Sequence, residues 1–452
     1  MNPDPFHRPL ALPGWLLPAA LCLLFPVSCL FGQGATEPTA QASSLMGFPT
    51  EWPSGPGPDS VPEWARPGKI RFARWDGGRL ESAKAMLSGW PGFNPPIPDY
   101  VDTMTNWYGP RSLQLLEEAS INTIWVTFSV GFSNPTELGN QRQLRAYIEE
   151  CHRRGIRVIT YQSIANVFWE DMFQKVPESR EWVRLNADGK PTPYGSGMYE
   201  KMGRITRYMA KLSNPEWRAY LRGRIDLALD AGADGIMYDN NFHEYLYETY
   251  RELYQYASSR KPDVLMMGNF HSNTYVLNRA LNAISTEDGL EPGIYEASDI
   301  AGRLDRIRAT LLAVPEGHLI TNVGLFRIHS ALSGGWKPVQ IEDGHRQKGD
   351  RFQNPISAAH HKIALAEGTM FSAAMQVFSE GAFANGLMRN EPAAMEIWRA
   401  ITRYNRFFAD NSAFYVDARP VASAAVILDD RGEDVALLNG LAARNVQFDV
   451  LY

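Results

Sequence analysis

The sequence predicts an α/β chain built on a TIM-type (β/α)8 barrel, followed by the beginning of a flavodoxin- or Rossmann-like α/β unit. Three observations predict it. Short apolar runs alternate with amphipathic helical stretches from Lys69 onward, the pattern of a parallel sheet with helical crossovers. Eight such runs spread over more than 300 residues, which suits a barrel with long loops. The first run ends in Asp76-Gly77-Gly78, not in the G-x-G-x-x-G turn of an open dinucleotide-binding sheet.

The elements follow in order. Strands are expected at Ile70–Trp75, Asn122–Ser129, Arg157–Gln162 and Gly235–Asp239. The second half adds Val264–Gly268, Ala283–Thr286, Leu319–Gly324 and Thr369–Ala374. Helices are expected at Ser112–Ala119 and Gln141–Arg154, the latter ended by Gly155. The helix before the fourth strand has a clear start: Ser213 or Asn214 can cap it, and Pro215 fits its first turn. Two long connections, Ser163–Ser213 and Phe326–Asn354, leave strand ends on the side where barrel sites lie.

The barrel is bounded by different material. Residues 1–32 read as an export signal: His7 and Arg8, then an apolar stretch broken by Pro13, Pro18 and Pro26, then small residues. The prolines argue against a stable membrane-spanning helix. An N-terminal anchor is the remaining membrane expectation. Cys29 is a candidate for lipidation, although Pro26 stands where a lipobox has Leu. The protein is therefore expected in the periplasm or outside the cell. Residues 33–68 are rich in Pro, Gly, Ser and Thr and read as a linker or overlying coil, with order beginning at Lys69. The barrel spans 69–411. In 412–452, an apolar strand (Val421–Leu428), a helix (Glu433–Arg444) and a second strand (Val446–Tyr452) read as part of an α/β domain.

Composition narrows the function. The chain has 452 residues, 44% of them hydrophobic, and a net charge of -6. There is no long basic run, so nucleic acid is not an expected partner. Outside the signal only Cys151 remains, read as a buried core thiol. No H-x-H follows the first strand, and H-E-x-x-H, C-x-x-C and P-loop motifs are absent. No metal site and no cofactor are expected.

The chemistry centres on Asp234-Gly235-Ile236-Met237-Tyr238-Asp239-Asn240-Asn241. Ile236–Tyr238 supplies the fourth strand and places Asp239 at its C-terminal tip. A carboxylate there can attack an anomeric carbon or hold its developing charge. Alternatively Asp239 caps the next helix, but Asn240 and Asn241 are available for that. Glu287, just after the sixth strand, is the expected general acid, with Glu296 next in line; Glu170 and Asp171 are further candidates. Polar and aromatic residues at other tips are expected to bind substrate: Trp75, Asp76, Trp125, Tyr161, Asn240, Asn269, His271 and Asn322. Aromatic faces stack on sugar C–H groups, and Asp or Asn holds hydroxyls.

Asn214-Pro215-Glu216-Trp217 followed by Asp234–Asn240 resembles uncharacterised hypothetical glycosyl hydrolase barrels. Tyr238-Asp239-Asn240 is similar to the strand-four nucleophile motif of the alpha-galactosidase clan. Val421–Tyr452 resembles the start of the trimerisation domain of a beta-galactosidase family that includes thermophilic trimeric enzymes. In those enzymes the strand-four acid is a Glu after Asn, so their catalytic assignments do not carry over to Asp239. The resemblance implies a glycosidase acting on an oligo- or polysaccharide, and a homo-oligomer assembled through the C-terminal domain. The competing expectation is a catalytically silent carbohydrate-binding barrel. A barrel lyase or isomerase would want a metal or a strand-tip Lys, and neither is found in the sequence.

Overall fold

The computed structural model describes residues 61–75, 107–129, 131–194, 207–239, 245–269, 280–286, 319–322, 374–379, 381–416, 423–427 and 448–451, with isolated positions between 358 and 446. The signal and most of the linker expectation lie outside these residues. Among them, no helix is long and apolar enough to cross a membrane.

Eight parallel strands close into a barrel. They are β1 (Phe72–Trp75), β2 (Thr123–Ser129), β3 (Arg157–Ser163), β6 (Gly235–Asp239), β7 (Leu265–Asn269), β8 (Ala283–Thr286), β9 (Leu319–Asn322) and β10 (Ala374–Ser379). Closure is direct: β1 pairs with β2 on one side and with β10 on the other. That excludes an open doubly wound sheet. The last strand is a correction. It was expected at Thr369–Ala374 but begins at Ala374, in register with Thr321 of β9. The apolar stretch 369–379 offers two overlapping strand frames, and the one with Val377 and Phe378 pairs with β1.

Helices α1 (Pro110–Glu118), α2 (Asn134–Arg153), α4 (Pro215–Asp230), α5 (Leu246–Arg260), α6 (Gly381–Arg389) and α7 (Pro392–Asp410) complete the described helical layer. The Asn214 carboxamide oxygen accepts from the Glu216 and Trp217 amides at 2.8 and 3.0 Å, so Asn214 is the cap expected for α4. Helix α2 starts seven residues before Gln141 because its first turn is tied down. The Ser133 and Thr136 donors both reach the carboxylate of Asp171. Asp171 belongs to the connection after β3, which is a small substructure: β4 (Asn166–Phe168), α3 (Trp169–Lys175) and β5 (Arg207–Met209), with β4 and β5 antiparallel.

The bottom of the barrel is closed by a recurrent device. The residue just before a strand is Asn or Asp, and its side chain ties down the strand before it. Asn122 accepts from the Arg71 amide and donates to the Lys69 carbonyl. Asn282 accepts from the Met266 amide and donates to the Val264 carbonyl. Asp234 accepts from the Val158 amide at 2.9 Å. These side chains satisfy backbone groups left over where parallel strands begin. Order begins earlier than Lys69. Residues 61–68 carry a short 3-10 turn, Glu63–Ala65, whose Trp64 indole donates to the Asp263 carbonyl. Val61 and Ala65 are buried, so residues 61–68 pack on the barrel.

Gly235 opens β6 where the wall is tightest. A Cβ there would stand 2.5 Å from the Leu265 carbonyl oxygen and 3.0 Å from the Leu265 side chain. A backbone atom cannot swing away, so Gly235→Ala is expected to cost about 1–3 kcal/mol by overpacking. A urea titration that leaves the midpoint unmoved would refute this.

Residues 412–452 contain two of the described strands. Strands β11 (Ala424–Ile427) and β12 (Phe448–Leu451) pair in parallel, and the described residues between them include helical positions 437 and 441. The pair has no third strand among the described residues, and Val421 is 88% exposed.

Candidate active site

A parallel barrel strand is buried on both faces, so only pairing register tells which residues face the lumen. Arg74 is in register with Trp125, Thr127 with Tyr161, and Ser163 with Asp239. Residues in register, and those two apart on one strand, share a face. Arg74, Trp125, Tyr161 and Asp239 therefore share one face, and it is the lumen, because the alternating residues Trp75 and Tyr238 pack on the helix residues Tyr147 and Tyr250. Asn269 shares that face, because its preceding residue Gly268 pairs with Tyr238.

Asp239 sits at the tip of β6, half-buried, with both oxygens engaged. The Tyr161 hydroxyl donates to Oδ2 at 2.8 Å. The Asn269 amide Nδ2 donates to Oδ1 at 2.9 Å. The donors come from the strands on either side, β3 and β7, so the barrel itself aims the carboxylate. Behind it, Tyr238 faces outward and packs on Tyr250 of α5, ring centroids 5.7 Å apart. Burial pushes the Tyr250 hydroxyl far above its usual range, and the charges of Asp239 and Tyr238 add to the shift. Burial likewise raises Tyr238. Both phenols remain neutral at ordinary pH.

The other expected site residues divide. Tyr161 and Asn269 are at the site, and their described hydrogen bonds go to Asp239. Trp125 lies in the lumen but is only 1% exposed, and the Tyr161 ring stacks on it at 5.1 Å and 18°. It offers a sugar no open face. Trp75 is not in the lumen at all. It alternates with Arg74, points outward, and packs between barrel and helices: its indole donates to the Tyr147 hydroxyl of α2, and its ring meets Trp107 and Trp398. Its place is structural, and Arg74, the residue before it, takes the inward position. Asn322 is the last residue of β9, in register with Thr286 and Met375. Asp76, Asn240, His271, Glu287 and Glu296 lie outside the described residues.

Of the alternative acids, Asp171 is removed from consideration. It is 1% exposed and is occupied by the start of α2, with Lys175 at 3.1 Å. Cys151 is buried, and burial pushes its thiol up, which keeps it unreactive. Among the described residues no group of His, Cys, Asp and Glu is placed to hold a metal ion. Arg74-Trp75-Asp76 ends the first strand in the sequence, where Trp75 and Asp76 are the expected contacts and Arg74 is not among them. Its guanidinium lies 4.3 Å from the Trp125 ring centroid, and strict alternation from Trp75 was the available signal.

No protein-family model matches the chain, and no curated protein matches it. Among solved structures, the ligand-free cyclic alpha-maltosyl-(1→6)-maltose hydrolase of Arthrobacter globiformis is similar with a TM-score of 0.52. The identity is 16%, over 82% of this chain and 88% of that one. An acarbose-soaked debranching enzyme of Nostoc punctiforme is similar with a TM-score of 0.50 and 13% identity, over 79% and 84% of the two chains. At such identities the likeness is one of fold: this chain shares the (β/α)8 barrel of these two enzymes.

Proposed function

We propose that the chain is a glycoside hydrolase that cleaves an oligo- or polysaccharide through two carboxylates, Asp239 and Glu287, by a retaining mechanism. The observation that carries this reading is the placement of Asp239. It stands at the C-terminal mouth of a closed barrel and accepts a hydrogen bond on each oxygen from a neighbouring strand. A carboxyl that accepts on both oxygens is arranged as a nucleophile or charge stabiliser, not as a proton donor. Asp239 attacks the anomeric carbon while Glu287 gives its proton to the departing oxygen. A water, deprotonated by Glu287, then releases the sugar and restores both groups.

The two solved structures of the same fold are named as a maltosyl-maltose hydrolase and a debranching enzyme, which favours a carbohydrate substrate. The signal-like residues 1–32 favour export to the periplasm or beyond, and the parallel β11–β12 pair favours an α/β unit at 412–452.

The test is hydrolysis of a panel of aryl glycosides and polysaccharides by the purified protein. Turnover of at least one is expected; binding of glycans without turnover would leave a silent carbohydrate-binding barrel. The pair is tested by a crystal structure. Retention expects carboxyl groups of Asp239 and Glu287 about 5–5.5 Å apart, and about 6.5–9.5 Å means inversion. A much larger separation removes Glu287, and Glu296 takes its place as the acid to be tested.

A further inference from the structure

The lumen holds a continuous line of contacts that ends on Asp239. It begins with the Arg74 guanidinium against the Trp125 ring at 4.3 Å. It continues with the Trp125 and Tyr161 rings stacked at 5.1 Å and 18°. It ends with the Tyr161 hydroxyl on Oδ2 of Asp239 at 2.8 Å. The four residues come from β1, β2, β3 and β6, neighbours in the barrel wall, and all lie on its inner face. Both upstream contacts fall within the range of favourable geometry: cations within about 6 Å of a ring centroid, aromatic pairs at about 4.5–7 Å.

We propose that Trp125, with Arg74 against its ring, is a positioning residue that holds the Tyr161 hydroxyl on Asp239. The proposal rests on the reading of Asp239 as the reacting carboxylate. A tyrosine hydroxyl sits at the end of a long rigid arm, so a small turn about χ1 moves it off its acceptor. The ring stacked flat against Tyr161 removes that freedom. Arg74 in turn holds Trp125, to which it is joined in register across β1 and β2. Trp125 is too deeply buried to act as a sugar platform, and a floor under Tyr161 is the role its geometry fits. Asn269 holds the other oxygen from β7. The stacked grip sets which way Oδ2 points.

The test has a structural arm and a kinetic arm. In a crystal structure of Trp125→Leu, the Tyr161 hydroxyl is expected to leave Asp239, opening the pair beyond about 3.5 Å. A hydroxyl still at 2.8 Å overturns the proposal, and this arm needs no substrate. In the kinetic arm, Trp125→Leu is expected to lower kcat about 10- to 100-fold, the scale of a small misplacement, with KM changed about twofold or less. Trp125→Phe, which keeps a stacking ring, is expected to recover most of that loss. In a Tyr161→Phe background, Trp125→Leu is expected to cost nothing further, because the bond it protects is already gone.

Additive losses in the two backgrounds, or a raised KM with unchanged kcat, overturn the proposal. They would mean that Trp125 acts directly on substrate or merely fills the core. If Trp125→Leu does not fold, Arg74→Met carries the same cycle, since it removes the charge and keeps most of the stem. The underlying reading fails separately: a full-rate Asp239→Asn protein would remove Asp239 from the chemistry whatever the stack does.

Discussion

Asp239→Asn is expected to abolish turnover while leaving the fold intact. Asparagine has nearly the volume of aspartate and retains one oxygen that can accept from Tyr161 at the Oδ2 position. On the other side an NH2 group would face the Asn269 amide donor, which replaces one hydrogen bond with a clash of donors. That local loss is worth about 1–3 kcal/mol, which a barrel of this size tolerates. The charge is another matter. Without it no covalent or ion-paired glycosyl intermediate forms, and kcat should fall on the order of 10⁴-fold. The measurement is a rate on the best substrate of the glycoside panel beside a thermal melt of both proteins. A helix-capping Asp239 would give the opposite pattern, since Asn caps about as well as Asp. A variant running near the parent rate would leave the silent binding barrel, or another carboxylate, as the better account.

The barrel was legible because strand and helix alternate in periodicity. Seven of its strands begin within two residues of their expected starts, four of them (β3, β6, β8 and β9) on the expected residue. The eighth shows where pattern fails. An unbroken apolar stretch contains more than one possible strand, and only pairing with β1 and β9 selects the frame. Trp75 shows the same limit at the site. Both faces of a parallel barrel strand are apolar, so hydrophobicity cannot say whether Arg74 or Trp75 faces the lumen. The register with Trp125 says it. Asp239 is a candidate from the sequence because it follows the apolar run Ile236–Tyr238 and so falls at a strand's C-terminal tip. Its donors were named only as substrate contacts: that Tyr161 and Asn269 flank it follows from strand order, β3 and β7 lying on either side of β6. The aspartate at the other end of the same strand was not singled out for any role, and its expected effect on stability is large.

Asp234 is expected to make the protein acid-labile. It is 1% exposed and precedes β6 at the bottom of the barrel, far along the chain from the β3 groups it binds. It accepts from the Val158 amide at 2.9 Å and pairs with His152 and Arg157 at 2.8 Å each. Burial alone would raise its carboxyl, but the hydrogen bonds from His152, Val158 and Arg157 outweigh that and hold it below the usual carboxylate value. The sign follows from the folded value lying under the unfolded one. The stability Asp234 contributes is fully present above the unfolded value of about 3.9 and is lost as pH falls through the folded one. Melting temperature should therefore drop as pH is lowered below about 4, and Asp234→Asn should flatten that part of the profile. At neutral pH, Asp234→Ala leaves the Val158 amide unpaired in the barrel wall and removes the partner of the His152 ring nitrogen and the Arg157 guanidinium. His152 and Arg157 are 37% and 44% exposed, so water takes up much of their loss. The expected cost is about 2–3 kcal/mol, below the full penalty of breaking a buried pair. Urea denaturation of parent, Asp234→Asn and Asp234→Ala at pH 7 and pH 3.5 measures both effects. Equal destabilisation of the variants at the two pH values would mean that the charge of Asp234 plays no part in holding β3 to β6.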